Sequence, residues 1–74
     1  SETISVDTVE SEIAKPLEDV QNNFSNVEIG SYPFFRSGKV GVSIVMRSTE
    51  NNQIEDCAKQ IKNFIQQKKI QVIK

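Results

Sequence analysis

Residues 40–47 alternate between large apolar side chains and smaller or polar ones, and this period of two predicts a β-strand with one buried face. The apolar set is Val40, Val42, Ile44 and Met46. The set between them is Gly41, Ser43, Val45 and Arg47. A strand that is apolar on one face must be covered there by another layer of structure, so the rest of the sequence is expected to supply that layer.

Two other stretches repeat apolar residues every three or four positions, which predicts two helices with one apolar side each. The first stripe is Val9, Ile13, Leu17, Val20 and Phe24. The second stripe is Ile54, Cys57, Ala58, Ile61, Phe64 and Ile65. Asp7 with Glu10, and Asn52 with Glu55, have the spacing of capping boxes and predict where the helices begin. Pro16 lacks an N–H, so we expect a kink there or a later start of the regular helix.

Three further segments, residues 3–6, 27–29 and 70–73, predict short strands, and a turn is expected at residues 36–39. The order strand, helix, strand, strand, helix, strand predicts an α+β fold of the ferredoxin-like split βαβ type. In this fold two helices lie on one face of an antiparallel sheet. Strands one and three should be central. The second should be an edge strand, because Pro33 cannot donate to a ladder.

Composition limits what such a domain does. The length of 74 residues suits one small α+β domain over residues 1–74, and the start at Ser1 suggests a piece of a larger multidomain protein. Histidine is absent and Cys57 is the only cysteine, which removes His-based catalysis and most zinc sites. A net charge of −1 gives no attraction to nucleic acid or acidic membranes. The lone thiol fits a reducing compartment, so a cytoplasmic location is expected.

Three groups of residues are considered as candidate reactive or binding sites. Cys57 lies on the second stripe and is expected to be a core residue rather than a reactive thiol. The carboxylates of the first helix are expected on its solvated side, and they are Glu10, Glu12, Glu18 and Asp19. The open-face positions of strands one and three are Thr3, Ser5, Gly41, Ser43 and Val45. They carry no aromatic ring, so packing on a neighbouring domain or subunit is favoured over base stacking.

The most distinctive tetrapeptide is Gly30-Ser31-Tyr32-Pro33. One interpretation is a strand end, in which Pro33 stops pairing and Tyr32 packs its ring with its hydroxyl in water. The other is a contact loop for a neighbouring domain. The four residues are therefore candidate domain-contact positions, and no catalytic, cofactor-binding or metal-binding residue is assigned.

Residues 27–33, Val-Glu-Ile-Gly-Ser-Tyr-Pro, carry a family resemblance. They resemble the small domain that follows the molybdopterin-binding-like domain in eukaryotic FAD synthases and their competence-damage-inducible-type relatives. Counterparts at residues 13–17, 40–47 and 54–65 extend the resemblance over most of the chain.

The resemblance implies a parent enzyme of flavin biosynthesis, an FMN adenylyltransferase. In such proteins a separate C-terminal domain similar to PAPS reductases condenses FMN and ATP to FAD, and the upstream domain is linked to FAD hydrolysis. FMN, ATP, FAD and Mg therefore belong to the parent, and no cofactor is assigned to this fragment. Neither set of catalytic motifs lies within these residues, so no family site residue is carried over.

The favoured hypothesis is a non-catalytic accessory module that packs on the molybdopterin-binding-like domain of an FAD synthase-like protein. The alternatives are a regulatory domain that senses a flavin or nucleotide and, less favoured, a nucleic-acid-binding module. The expected partners are neighbouring domains of the same chain or a second copy in a homo-oligomer, with no nucleic acid and no membrane. A mitochondrial form of the parent is also compatible with the sequence.

Overall fold

The computed structural model describes residues 1–73 of the chain. Its elements are, in order, β1 (Glu2–Asp7), a 3₁₀ turn (Glu10–Glu12), α1 (Ala14–Asn23), β2 (Glu28–Arg36), β3 (Lys39–Arg47), α2 (Asn51–Gln67) and β4 (Gln71–Ile73). The four strands form one antiparallel sheet in the order β2-β3-β1-β4. This confirms the predicted ferredoxin-like arrangement, with β1 and β3 central and β2 at an edge.

The core lies between the two helices and one face of the sheet. The apolar members of the alternation meet across the central strands, where Ile4 pairs with Ile44 and Val6 with Val42. The buried residues of α2 are Ile54, Cys57, Ala58, Ile61 and Ile65. Within residues 1–73, no polar or charged residue is buried. The interior is therefore a packing core that holds no polar site.

The first helix starts later than its apolar stripe and without the predicted capping box. Val9 is exposed, and the 3₁₀ turn occupies the place of the expected first helical turn. The Leu17 N–H donates to the Ile13 carbonyl at 2.9 Å, directly after Pro16. Pro16 thus lies in the first turn of α1, where helical N–H groups have no partner within the helix. The later start was one of the two expected outcomes at Pro16.

The second helix also begins without its predicted capping box. No side chain caps it, and Glu50 is the residue before its first turn. The N–H groups of Gln53 and Ile54 donate to the Glu50 carbonyl at 3.1 and 3.2 Å. The capping boxes at Asp7/Glu10 and Asn52/Glu55 were therefore wrong, because spacing alone does not fix where the chain turns into a helix.

β2 is longer than predicted and runs through Pro33, which pairs with Val42, to Arg36. A two-residue turn follows, in which Ser37 and Gly38 have φ values of 52° and 77°. Arg36 and Lys39 flank this turn and form a hydrogen-bonded pair. Because hydrogen-bonded pairs alternate with non-hydrogen-bonded pairs along an antiparallel ladder, the backbone nitrogens of residues 29, 31, 33 and 35 point away from β3. The missing N–H of Pro33 therefore removes no ladder bond. The prediction that Pro33 stops pairing was wrong, because the edge position lets the strand continue.

Candidate contact surface

The four candidate residues lie inside β2, and the register divides them between the two faces of the sheet. Gly30 pairs with Val45 and Tyr32 with Ser43, which places both on the open face. Ser31 and Pro33 lie on the face that carries the helices. The tetrapeptide is therefore part of a strand, and the interpretation of it as a loop was wrong.

Ser31 is engaged within the chain. Its hydroxyl donates to the Glu10 carboxylate at 2.8 Å, which ties the 3₁₀ turn to β2. The bond spans a shallow groove between α1 and β2 that Leu17 and Ile29 also line. Ser31 thus holds the turn in place, and its hydroxyl proton is used within the chain.

Gln21 closes the start of β2, although no pattern in the sequence singles it out. Its Nε2 donates to the carbonyls of Phe24 and Val27 at 3.1 and 2.7 Å. Its Oε1 accepts the N–H of Ile29 at 3.1 Å. One side chain therefore satisfies three backbone groups of the connecting segment and covers an outward N–H of the edge strand.

Two aromatic rings lie on the open face. The Tyr32 ring covers Gly30 so closely that a Cβ there would be 2.8 Å from the tyrosine hydroxyl oxygen. The Phe34 ring lies over Gly41 on the neighbouring strand, where a Cβ would overlap the ring. The Arg36 guanidinium carbon stands 4.7 Å from the centroid of Phe34, a cation–π contact. The glycines leave the space in which the rings rest on the sheet.

The rings of Tyr32 and Phe34 correct the expectation that the open face carries no aromatic side chain. That expectation considered only strands one and three, whereas β2 contributes Tyr32 and Phe34. A signal was present in the sequence, because a two-residue turn at Ser37-Gly38 fixes the register. Counting back from it places Phe34 opposite Gly41.

An apolar patch is exposed where the β2–β3 hairpin turns, on the helix-bearing face. Phe35 and Val40 pair directly and are 70% and 44% exposed. Two residues further along the same face of β3, Val42 is fully buried. The apolar core therefore ends between Val42 and Val40. We name Pro33, Phe35 and Val40, all exposed, the hairpin patch.

Two cations lie at the same turn, on the opposite face of the sheet from this patch. Arg36 and Lys39 are directly opposite each other across the turn. Among residues 1–73 the ion pairs within 4.0 Å are Lys15–Glu18 and Lys62–Glu2, so neither cation of the turn has a carboxylate partner. Like charges directly opposite each other destabilise a strand pair. This end of the hairpin is therefore favourable for an anionic group.

The other weighed residues do not build a site. Cys57 is buried as predicted, and burial, with Glu2 nearby, raises the pKa of its thiol above its usual range, which disfavours the reactive thiolate. The four candidate carboxylates of the first helical stretch are exposed as expected, although Glu10 and Glu12 lie in the 3₁₀ turn rather than on α1.

Across residues 1–73, no three His, Cys, Asp or Glu side chains converge as metal ligands. In the same part of the chain, no helix combines the length and apolar character needed to cross a membrane.

Fold and surface together define a small ferredoxin-like domain whose distinctive features lie on its sheet and hairpin. The family model described as the FAD synthase middle domain matches residues 1–74. The chain therefore belongs to the FAD synthase middle-domain family, which confirms the resemblance drawn from residues 27–33. No curated protein and no solved structure matches the chain significantly.

Proposed function

We propose that the chain is a non-catalytic accessory module of an FAD synthase-like protein and packs on the molybdopterin-binding-like domain of that protein. The observation that carries the proposal is the interior, where every buried residue within 1–73 is apolar. Catalysis relies on polar groups that packed neighbours hold in place away from water. The condensation of FMN with ATP, and any Mg it uses, then belongs to another domain of the parent.

The surface residues support a role in contacts. Of the four candidate positions, Tyr32 and Pro33 are exposed and can reach a neighbouring domain. Gly30 lies under the Tyr32 ring, and Ser31 is bonded to Glu10. We therefore assign the contact to the exposed side chains of β2 and give the other two a supporting role.

A turnover assay tests this proposal. The chain is incubated with FMN, ATP and Mg²⁺, and separately with FAD, and the products are separated by chromatography. The expected result is no FAD synthesis and no FAD hydrolysis above the rate in buffer, while a complete FAD synthase under the same conditions forms product. Appreciable turnover by the chain contradicts the proposal.

A second candidate function, sensing of a flavin or nucleotide, is favoured by the open face. The rings of Tyr32 and Phe34 lie there next to the hydroxyl pair of Ser5 and Ser43, whose oxygens are 3.1 Å apart. Flat aromatic surfaces of this kind stack planar ligands. In a chemical-shift titration with FMN, FAD, ATP and a pterin, shifts clustered at residues 30–35 favour sensing, and their absence rejects it.

The same rings weaken one of the two arguments against nucleic acid, while the net charge of −1 still stands against it. Salt-dependent binding of an oligonucleotide, tighter than that of any mononucleotide, is the result that would favour this third function.

A further inference from the structure

We infer that the hairpin end, residues 33–41, is the element that docks the chain on a neighbouring domain of the same polypeptide, in an apolar pocket rimmed by carboxylates. The inference rests on the proposed packing function. It goes further in naming the docking element and the chemistry of the surface that receives it.

Burial along the hairpin identifies the docking residues. On β3 the residues of the helix-bearing face are fully buried as far as Val42, and Val40 is then 44% exposed. Its partner Phe35 is 70% exposed, more than any other large apolar residue among 1–73. Covering an exposed phenylalanine and valine with a second surface lowers the free energy, because their apolar area is removed from water. The hairpin patch is therefore the part of the described chain that a partner would stabilise most.

The charges specify the rim of the receiving pocket. Arg36 and Lys39 repel each other across the turn and have no carboxylate within 4.0 Å in residues 1–73. Carboxylates on the partner would relieve this repulsion and steer the hairpin toward its pocket. On the open face Glu28 lies opposite Arg47 at the other end of the hairpin, whereas Asp7 follows the Val6–Val42 pair and so lies level with Gly41 on the neighbouring strand. The turn itself, residues 36–39, carries two cations and no carboxylate.

The hairpin end is also held in one conformation before it meets a partner. Gly41, the Phe34 ring and the Arg36 guanidinium form a stack across the two strands. Ser37 and Gly38 adopt the positive φ values of a tight two-residue turn. A preorganised element loses little conformational freedom on binding.

The size of the patch favours a tethered partner over an independent one. Stable complexes of separate proteins typically bury about 1,200–2,000 Å² in total, which is far more than three residues supply. Interfaces between domains of one chain are smaller, and tethering raises the local concentration of the partner to the order of millimolar. A neighbouring domain of the same polypeptide is therefore the occupant that fits this surface.

Hydroxyl-radical footprinting tests the inference without altering the protein. The chain alone is compared with an FAD synthase-like polypeptide that carries it together with its adjoining domains. In the longer polypeptide, oxidation of Phe35 is expected to fall about tenfold, because the buried centre of an interface excludes water. Tyr32, 49% exposed on the opposite face, reports in the same experiment on whether the open face is covered.

The outcomes separate the inference from the proposed function. A fall at Phe35 supports docking through the hairpin end, with or without a fall at Tyr32. Protection of Tyr32 alone overturns the inference but leaves packing through the open face. Unchanged oxidation of both residues overturns the inference and the proposed packing together.

A charge-reversal pair tests the chemistry of the pocket. Lys39→Glu places a carboxylate at the rim and is expected to restore at least about half of the Phe35 oxidation in the longer polypeptide, through repulsion between like charges. The matched control Lys59→Glu makes the same change on the exposed side of α2 and should leave Phe35 protected. Equal effects of the two variants overturn the carboxylate rim.

Discussion

The two ends of the β2–β3 hairpin contain similar side chains and differ in what covers them. At one end Ile29 pairs with Met46, which is fully buried, and Gln21 closes the edge of the sheet. At the turn end Phe35 pairs with Val40, and both are exposed. The covered end stabilises the fold. The exposed end contributes little to the core and is available to another surface.

Alternation therefore identifies the face on which a side chain lies but not whether another layer covers that face. Val40 belongs to the same apolar set as Ile44, yet only Ile44 contacts the core. A period of two reports which side chains share a face. Where the helices end decides which of them are buried.

The largest predicted difference between the two ends is in core truncation. Ile44→Ala should lower the free energy of unfolding by about 3–4 kcal/mol, because it removes buried methyl groups and leaves a cavity. Val40→Ala, on the same face of the same strand, should cost less than about 1 kcal/mol. Urea denaturation measures both, and similar losses would contradict the proposed difference between the ends.

Removal of the side chain that closes the covered end should have the next largest effect. Gln21→Ala removes the side-chain partner of the Val27 carbonyl and of the Ile29 N–H, while the Phe24 carbonyl keeps its bond from the Val27 N–H at 3.2 Å. The expected loss of stability is about 2 kcal/mol. Gln67→Ala, at the exposed end of α2, is the matched control and should change stability by less than about 0.5 kcal/mol. A Gln21 variant as stable as this control would show that the three bonds contribute nothing.

A smaller effect is expected where the Phe34 ring rests on β3. Gly41→Ala should destabilise the chain by about 1 kcal/mol, because the new methyl group displaces the ring. In a Phe34→Ala background the same change should be neutral or stabilising, since the space is then free. A double-mutant cycle by urea denaturation measures this coupling. Additive effects would show that ring and glycine do not interact.

The smallest effect is a pH dependence from the covered core. Because burial raises the pKa of Cys57, the unfolded thiol loses its proton at lower pH than the folded one. The protonated Cys57 thiol therefore contributes its full share to the free energy of unfolding at pH values below the ordinary pKa of a thiol. This contribution is lost as pH rises through the higher pKa of the folded state. The unfolding free energy of the native chain should fall more steeply above about pH 8.5 than that of Cys57→Ala. Parallel pH profiles would contradict the burial of the thiol.

The fold was predictable because β3 alternation and both helical stripes depend on local periods that the core then uses. The helix starts were not, since the Ser31–Glu10 bond that holds the 3₁₀ turn joins residues distant in sequence. Pro33 was misjudged because an edge strand needs its N–H only at alternate positions. Phe35 gave no signal of exposure, as its burial depends on how far the helices extend.

The most direct test of the difference between the two ends is Phe35→Ser, measured in two contexts by hydrogen exchange of the β1 and β3 amides. In the chain of 74 residues the substitution should change the opening free energy by less than about 0.5 kcal/mol, as for other surface sites. In the longer polypeptide it should lower that free energy by about 1–2 kcal/mol, because the apolar contact with the neighbouring domain is lost. An equal effect in both contexts would contradict a hairpin end that serves docking rather than folding.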